Sequence, residues 1–454
     1  MNGLSQTLPV TSDDLRSQLR TLFTDTLNRV QIMTELQQTV RCDDGVLTVG
    51  ELRYRLAEFD RIVLVSIGKA SVPMCNYFVQ TLQPELANSQ KLEGIAVGSA
   101  LSYELPPQIR FFHGSHPVPD ASSRNAAAEI MRLLNSLDER SLVLFLISGG
   151  GSAMVEQPMP EISVEETAAF YRGLLHSGLS IVEMNALRKH FSAVKGGRLA
   201  EAAGAATQCT VLVSDVPDGF PHMVSSGPTL PDPSTREECA QLLRSHNLER
   251  MLPAAAVEYL LGGHGKETPK ESSAIFDRAR WVCLLSNEHL LRCAAARAEM
   301  DGYTVVIDNC CDDWPYRKAA EYLLGRLREL ARVHERVCLL SGGEVSVEVS
   351  GAAGTGGRNQ HFALYCATQL DEYFQGQSVA VLSAGSDGID GNSASAGAVV
   401  DGTTMQRTRD LGIDPMAVLL HYDSGSLFEA LGDAIVTGPT GNNLRDIRML
   451  VSTR

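Results

Sequence analysis

No stretch of these 454 residues approaches the roughly 18 uncharged apolar residues that a membrane-spanning helix requires. Positive charge is scarce as well: 39 Lys plus Arg against 54 Asp plus Glu leave a formal charge of −15. That balance opposes generic attraction to nucleic acid or to an anionic membrane, so any anion must be handled locally. The opening MNGLSQTLPVTSDDLRSQLR has no apolar leader core and no Arg-rich, acid-poor transit character, and the expected location is cytoplasmic. Ten cysteines occur without CxxC spacing. They read as reduced thiols, several inside apolar runs such as WVCLL and RVCLL, where a thiol packs as a small hydrophobe. Two nucleotide signatures are also missing. A GxGxxG reading from Gly149 ends on Met154 and one from Gly354 ends on Asn359, while the GK of VLVSIGKAS has Val63 where a Walker A glycine belongs and Ala70 where it needs Ser or Thr.

Apolar residues at 44% and charged residues at 20% describe a soluble globular chain, and its length exceeds what one hydrophobic core usually organises, so two domains are expected. One unit recurs along it: a run of Val, Ile and Leu, a turn of Gly, Ser and Asp, then an amphipathic segment. RIVLVSIGKAS, GIAVGSA, SLVLFLISGGGSAM, TVLVSDVPDG, RWVCLLSNEHLL, YTVVIDN, RVCLLSGGE, SVAVLSAGSDGIDG and DAIVTGPTGNNL all fit. Runs apolar on both faces, alternating with helical patterns, indicate parallel strands between helices and an α/β fold. The polar stretch HGKETPKESS, residues 264 to 273, separates an N-terminal domain at 1–265 from a C-terminal one at 275–454. The first 35 or so residues read as a helix, with Leu15, Leu19, Leu22, Leu27 and Val30 at helical spacing.

In such sheets ligands bind beyond the carboxyl ends of the strands, so the glycine-rich turns should converge. Lys69 follows a buried strand directly and belongs at that edge. Ser148, Gly149, Gly150, Gly151 and Ser152 allow close backbone approach to a phosphate, or form a tight turn without a ligand. SVEVSG reads as a strand with Val345, Val347 and Val349 on its buried face. Beyond GAAGTGG, Asn359 can cap a helix, which leaves Arg358 at the helix start beside Gly356, Gly357 and free N–H groups. The other reading is a glycine-rich hairpin loop whose arginine pairs with a surface carboxylate. Asp215, Asp218, Asp387, Asp390 and Glu344 lie at strand ends, where carboxylates suit Mg²⁺ or simply form turns. His116 in HGSHPVPD and the cations Arg188, Lys189, Lys195 and Arg198 of LRKHFSAVKGGRLA could receive a carboxylate, or the cations could form a solvated helix face.

VSIGKAS, HPVPD, LISGGGSAM, LRKHFSAVKGGRLA, SDVP with SSGPTLPDPST, LLSGGE, GTGGRNQHFAL, GSDGIDG with AGAVVDG, and GPTGNNLRDI occur in this order across about residues 60 to 450. Together they resemble the glycerate kinases that carry a MOFRL domain. The resemblance implies two α/β domains, the N-terminal one Rossmann-like with a mainly parallel sheet, and an active site in the cleft between them. It implies ATP- and Mg²⁺-dependent phosphorylation of D-glycerate, commonly at the 2-hydroxyl. A monomer or homodimer is expected, and the charge and the lack of long apolar runs point to no nucleic-acid or membrane partner. Lys69 matches the lysine of the family's GKA motif, and Arg358 the arginine of GGRNQ.

On this reading Lys69, Arg358 and Asp215 are catalytic, with Asp215 orienting the acceptor hydroxyl or a metal-bound water. Residues 148–152, Gly356, Gly357 and Asn287 contact nucleotide phosphates. His116, Lys195, Arg198 and Asn359 bind the substrate, and Asp387 and Glu344 hold the metal. PDGFPH at 217–222 departs from the family's pattern, so Asp218 takes no role from it. A hydroxypyruvate or tartronate semialdehyde reductase would need a nicotinamide site, for which no fingerprint is present. A nucleotide or metabolite sensor without activity is the remaining alternative.

Overall fold

Ile62, Val63, Leu64, Val65 and Ile67 of the strand Arg61–Ile67 are all buried, which places this strand between two layers of packing, as the unbroken apolar run requires. The computed structural model describes residues 12–101, 104–159, 161–262, 265–374 and 377–454, which divide into two compact units.

The unit of residues 32–285 is built on six parallel strands. Their spatial order is Ile109–His113, Lys91–Gly98, Arg61–Ile67, Ser141–Ile147, Thr207–Val213 and Ala279–Leu285. Numbered along the chain this is 3-2-1-4-5-6, the doubly wound order, and it reverses between Arg61–Ile67 and Ser141–Ile147. Val63, Val65, Val143 and Phe145 pack under Ala126, Ala127, Ile130 and Leu134 of the helix Ala121–Leu134. That helix starts at Asp120, whose side chain accepts from the N–H groups of Ser122 and Ser123. A second core forms around Phe170 and Phe191, stacked 3.9 Å apart.

The other unit combines residues 286–454 with the N-terminal segment, in which the helix Ser12–Arg29 buries Leu15, Leu19, Leu22, Phe23 and Leu27. Its sheet runs in the order Thr304–Ile307, Arg336–Gly342, Asp446–Thr453, Ser378–Gly385, Gly397–Asp401 and Ala434–Ile435. Only the first two strands are parallel; the remaining pairings are antiparallel. The last strand of the chain, Asp446–Thr453, therefore lies at the centre of the sheet, buried along its whole length.

Several expectations change here. The strand Ala279–Leu285 joins the first sheet and the helix Ser12–Arg29 joins the second unit, so the divisions fall near residues 31 and 286 rather than within 264–273. His264 lies outside the described residues, as do the first eleven. The second sheet is mixed rather than parallel, because a strand buried on both faces looks apolar in either direction of pairing. SVEVSG forms no strand: Val349 is exposed, and within this stretch only Ser346 makes an isolated bridge, to Pro315.

Candidate functional site

At the point where the first sheet's order reverses, two adjacent strands end in interlocked turns. The Lys69 N–H donates to Gly149 O at 3.0 Å, and the Ala70 N–H donates to Ser148 Oγ at 3.0 Å. Neighbouring residues press against the triple glycine. A Cβ on Gly149 would stand 2.0 Å from Asp215 Oδ2, so the Asp215 carboxylate fills the space that glycine leaves open. A Cβ on Gly150 would lie 3.4 Å from both Lys69 Cγ and His116 Cδ2. Lys69, His116, Gly149–Gly151 and Asp215, four separate sequence motifs, thus meet around one loop.

Lys69 is exposed, and its ammonium makes no hydrogen bond or ion pair among the described residues. The N–H groups of Gly150 and Gly151 are likewise without an acceptor there. Burial, followed by the charges of Lys69 and Arg188, holds the His116 imidazole below its ordinary value, so it is neutral at pH 7. Lys69 and the Gly150 and Gly151 N–H groups thus gather donors around one loop, beside the carboxylate of Asp215.

The structure adds two residues that the sequence reading did not single out. Ser225 and Ser226 adopt φ of 51° and 61°, a conformation uncommon for residues with a side chain, and both are buried. Ser225 Oγ donates to Ser148 O at 2.6 Å. Ser226 Oγ lies 2.8 Å from Ser152 Oγ and donates to Asn185 Oδ1 at 2.7 Å. They fasten the glycine loop from below, and the only sequence signal for them is the SSGP turn in which they occur.

Three of the four cations in the LRKHFSAVKGGRLA segment are engaged within the protein. Lys195 Nζ is buried and bonds Val155 O at 2.8 Å and Glu156 Oε2 at 2.7 Å. The guanidinium of Arg198 donates to the carbonyls of Lys189 and Lys266, each at 2.9 Å. Lys189 pairs with Asp232 at 3.0 Å. Lys195 and Arg198 therefore brace the loop and helix that carry them. Asp218 is exposed.

The other unit holds a cavity of about 710 Å³ lined by Asp313, Glu344, Gly356, Gly357, Arg358, His361, Asp387 and Asp390, among others. Here the expected free helix N-terminus is corrected. The helix Arg358–Tyr373 starts after Gly357, and Asn359 does not cap it. Asp390 does: its Oδ1 accepts from the Asn359 N–H at 3.0 Å and its Oδ2 from the Gln360 N–H at 2.8 Å. A Cβ on Gly357 would stand 2.3 Å from Asp390 Oδ1. The glycine admits the protein's own carboxylate rather than a ligand. Asn359 is buried, accepting from Ser383 Oγ at 2.6 Å, and the Gly356 N–H donates to Asn392 Oδ1 at 2.8 Å.

Arg358 is paired, but at a helix start rather than in a hairpin loop, and one of its two carboxylates, Asp446, is buried rather than on the surface. Its Nη2 lies 2.8 Å from Glu344 Oε1 and its Nε 2.5 Å from Asp446 Oδ2. Although burial opposes its charge, these carboxylates raise its pKa further. Burial and the nearby Asp446 and Asp312 raise Glu344 in turn, against the pull of Arg358 and Arg445. Asn287 is buried and donates to Leu444 O at 2.7 Å and Asp446 O at 3.0 Å, which joins the central strand to the helix Asn287–Met300.

Among the described residues no three His, Cys, Asp or Glu side chains gather as a preformed metal-ligand set. Glu344 and Asp387 each engage one carboxylate oxygen, Glu344 with Arg358 and Asp387 with the Ile389 N–H, and their second oxygens make no hydrogen bond among the described residues. Two part-engaged carboxylates lining one cavity fit Mg²⁺, which takes one or two protein carboxylates and keeps water and phosphate oxygens for its other positions.

A domain of unknown function family (DUF4147) matches residues 18–261, and the MOFRL family matches residues 337–446. A protein of Thermotoga maritima named D-glycerate 2-kinase is 33% identical over 86% of this chain and 90% of its own length. A protein of Agrobacterium vitis carrying a provisional hydroxypyruvate reductase name is 36% identical over 86% of this chain and 87% of its own. The crystal structure of a Thermotoga maritima glycerate kinase superposes with a TM-score of 0.79 at 29% identity, covering 96% of this chain and 99% of that one.

Proposed function

We propose that this chain, which belongs to the glycerate kinases of the MOFRL class, phosphorylates D-glycerate at the 2-hydroxyl with ATP, giving 2-phosphoglycerate and ADP. The observation that carries the site assignment is the meeting of Lys69, His116, Gly149–Gly151 and Asp215 where the first sheet reverses its order.

Phosphoryl transfer proceeds through a loose transition state with charge spread over the transferred oxygens, so the protein contributes mainly position and positive potential. Lys69, which has no counter-ion among the described residues, supplies that potential at the transferred group, and the glycine loop lets backbone N–H groups approach it. The 2-hydroxyl oxygen attacks the γ-phosphorus while the bond from that phosphorus to the β,γ-bridging oxygen breaks. Asp215, seated against Gly149, accepts the hydroxyl proton. Neutral His116 can hydrogen-bond a hydroxyl of the substrate without adding charge.

Asp387 and Glu344 are the carboxylates proposed to hold Mg²⁺, and Arg358 the cation that faces nucleotide phosphate. Bound there, Mg²⁺ would neutralise phosphate charge. Lys195, Arg198, Asn287 and Asn359 are given framework roles in this reading, since their polar groups already have protein partners.

Purified protein with ATP, Mg²⁺ and D-glycerate, followed by phosphorus NMR, is expected to produce the 2-phosphoglycerate signal, with L-glycerate as the control. Appearance of 3-phosphoglycerate would overturn the position, and no phosphorylated product would overturn the activity. The reductase name of the Agrobacterium relative is answered by a parallel assay. Hydroxypyruvate with NADH or NADPH is expected to leave absorbance at 340 nm unchanged, because the turn after the first strand is Gly68-Lys69-Ala70 and lacks the dinucleotide fingerprint.

A further inference from the structure

Arg188 lies on the helix Ile181–Phe191 with only 8% of its surface exposed, yet its guanidinium has no ion pair and donates no hydrogen bond among the described residues. It is the fourth cation of the segment whose other three are all engaged. A buried cation without a counter-charge is expensive to maintain, and a protein keeps one where an anion arrives. The guanidinium rests on the ring of Tyr171 at 5.1 Å. The Tyr171 hydroxyl donates to Glu156 Oε2 and also lies 3.1 Å from the carbonyl oxygen of Ser152, the residue that follows the triple glycine. One helical turn before Arg188, Asn185 Oδ1 accepts from Ser226 Oγ, which touches Ser152 Oγ. Two links therefore hold this face of the helix against the loop that gathers Lys69, His116 and Asp215. The lowered pKa of His116, to which the Arg188 charge contributes after burial and Lys69, agrees with this placement.

We infer that Arg188 binds the carboxylate of the acceptor acid, so that selection of a hydroxy acid over a neutral polyol is made by one desolvated, ring-supported guanidinium. The inference rests on the glycerate kinase reading and adds to it the recognition element for the acid group. Planar two-point donation suits a carboxylate, and the Tyr171 ring fixes the plane. The remaining carbons and hydroxyls then extend toward Lys69 and Asp215.

The test compares wild type, Arg188→Met and Arg188→Lys. Because no acceptor among the described residues loses a bond, Arg188→Met is expected to fold with an unchanged or higher Tm in the absence of ligand. Its KM for D-glycerate is expected to rise about 100-fold, the usual scale for removing one member of a desolvated charge pair. Its KM for ATP should stay within about three-fold, and Arg188→Lys should recover part of the loss. The preference for D-glycerate over its neutral amide should collapse in Arg188→Met. Should that variant fail to fold, Arg188→Lys alone decides, with at least a ten-fold rise in KM for D-glycerate expected.

Wild-type turnover accompanied by an unchanged KM for D-glycerate in both variants would overturn the inference and leave the kinase reading intact. If wild type does not phosphorylate D-glycerate, calorimetric titration with D-glycerate and L-lactate separates the two ideas. Binding to wild type that is lost in the variants supports the inference for another hydroxy acid, and no binding of either acid to wild type overturns it.

Discussion

Gly149 and Asp215 share one space: the Asp215 Oδ2 stands 2.0 Å from where a Cβ on residue 149 would be. Both residues lie just beyond neighbouring parallel strands, Ser141–Ile147 and Thr207–Val213. Gly149→Ala must therefore displace either the carboxylate or the loop. The expected result is a fall in kcat of about 100-fold or more, the scale seen when a reacting group is misplaced by an ångström, with Tm lowered modestly. Steady-state kinetics beside a melting curve checks it, and near-normal kcat would remove Asp215 from the reaction.

Lys69 presents the opposite case, a side chain whose ammonium has no hydrogen-bond or ion-pair partner among the described residues. Lys69→Ala should leave Tm within a degree or two while reducing kcat/KM by about 100- to 1000-fold, the range for deleting one electrostatic donor. Activity within a few-fold of wild type would remove this lysine from phosphoryl transfer.

The Lys195–Glu156 pair separates framework from binding. Lys195→Met leaves the Glu156 carboxylate buried without its cation, which should cost about 3–5 kcal/mol. In the double variant Glu156→Gln/Lys195→Met the cost should be well below the sum of the single ones, because no uncompensated charge remains. Urea unfolding of wild type, the two single variants and the double variant reads the coupling. Additive costs, or a Lys195→Met protein of normal stability that binds D-glycerate poorly, would return Lys195 to the substrate site.

Asp390 gives a pH signature. Burial raises its pKa from 3.8 to about 6, against the N–H bonds from Gln360 and Asn359 that favour the charged form. Between those values the folded state holds a proton that the unfolded chain has released, so stability falls as pH rises from about 4 to 6 and levels off above. The loss attributable to this group is up to about 3 kcal/mol. Asp390→Asn should abolish that slope. Urea midpoints from pH 4 to 7 for both proteins decide it, and parallel profiles would contradict the assignment.

Lys69, the triple glycine, His116 and Asp215 were legible from sequence because the rule they obey is topological. A turn that follows a buried parallel strand is delivered to one edge of the sheet, whatever its detailed contacts. Partners drawn from distant segments were not legible. Nothing near Asn359 reveals that Asp390, 31 residues on, takes the helix N-terminus, and nothing near Lys195 reveals a counter-ion 39 residues earlier. The central strand Asp446–Thr453 was missed for a related reason. Arg448 interrupts its apolar run, and only the fold shows that the guanidinium is buried against the carbonyls of Gly342 and Gly343. Ser225 and Ser226 escaped notice because left-handed backbone is read from glycine, and serine gives no such sign.

The second unit takes its first helix and its central strand from opposite ends of the chain, with Arg16 paired to Asp401 at 2.8 Å and to Asp433 at 2.7 Å. On the ribosome the unit of residues 32–285 emerges as one continuous segment and can fold while synthesis continues. The helix Ser12–Arg29 must meanwhile hold Leu15, Leu19, Leu22 and Phe23 without the sheet that buries them. At ordinary elongation rates of about 5–20 residues per second, that delay lasts tens of seconds. A nascent chain stalled before residue 446 would lack the strand on which the rest of the sheet pairs, and its N-terminal helix would be the segment most open to chaperone capture or proteolysis.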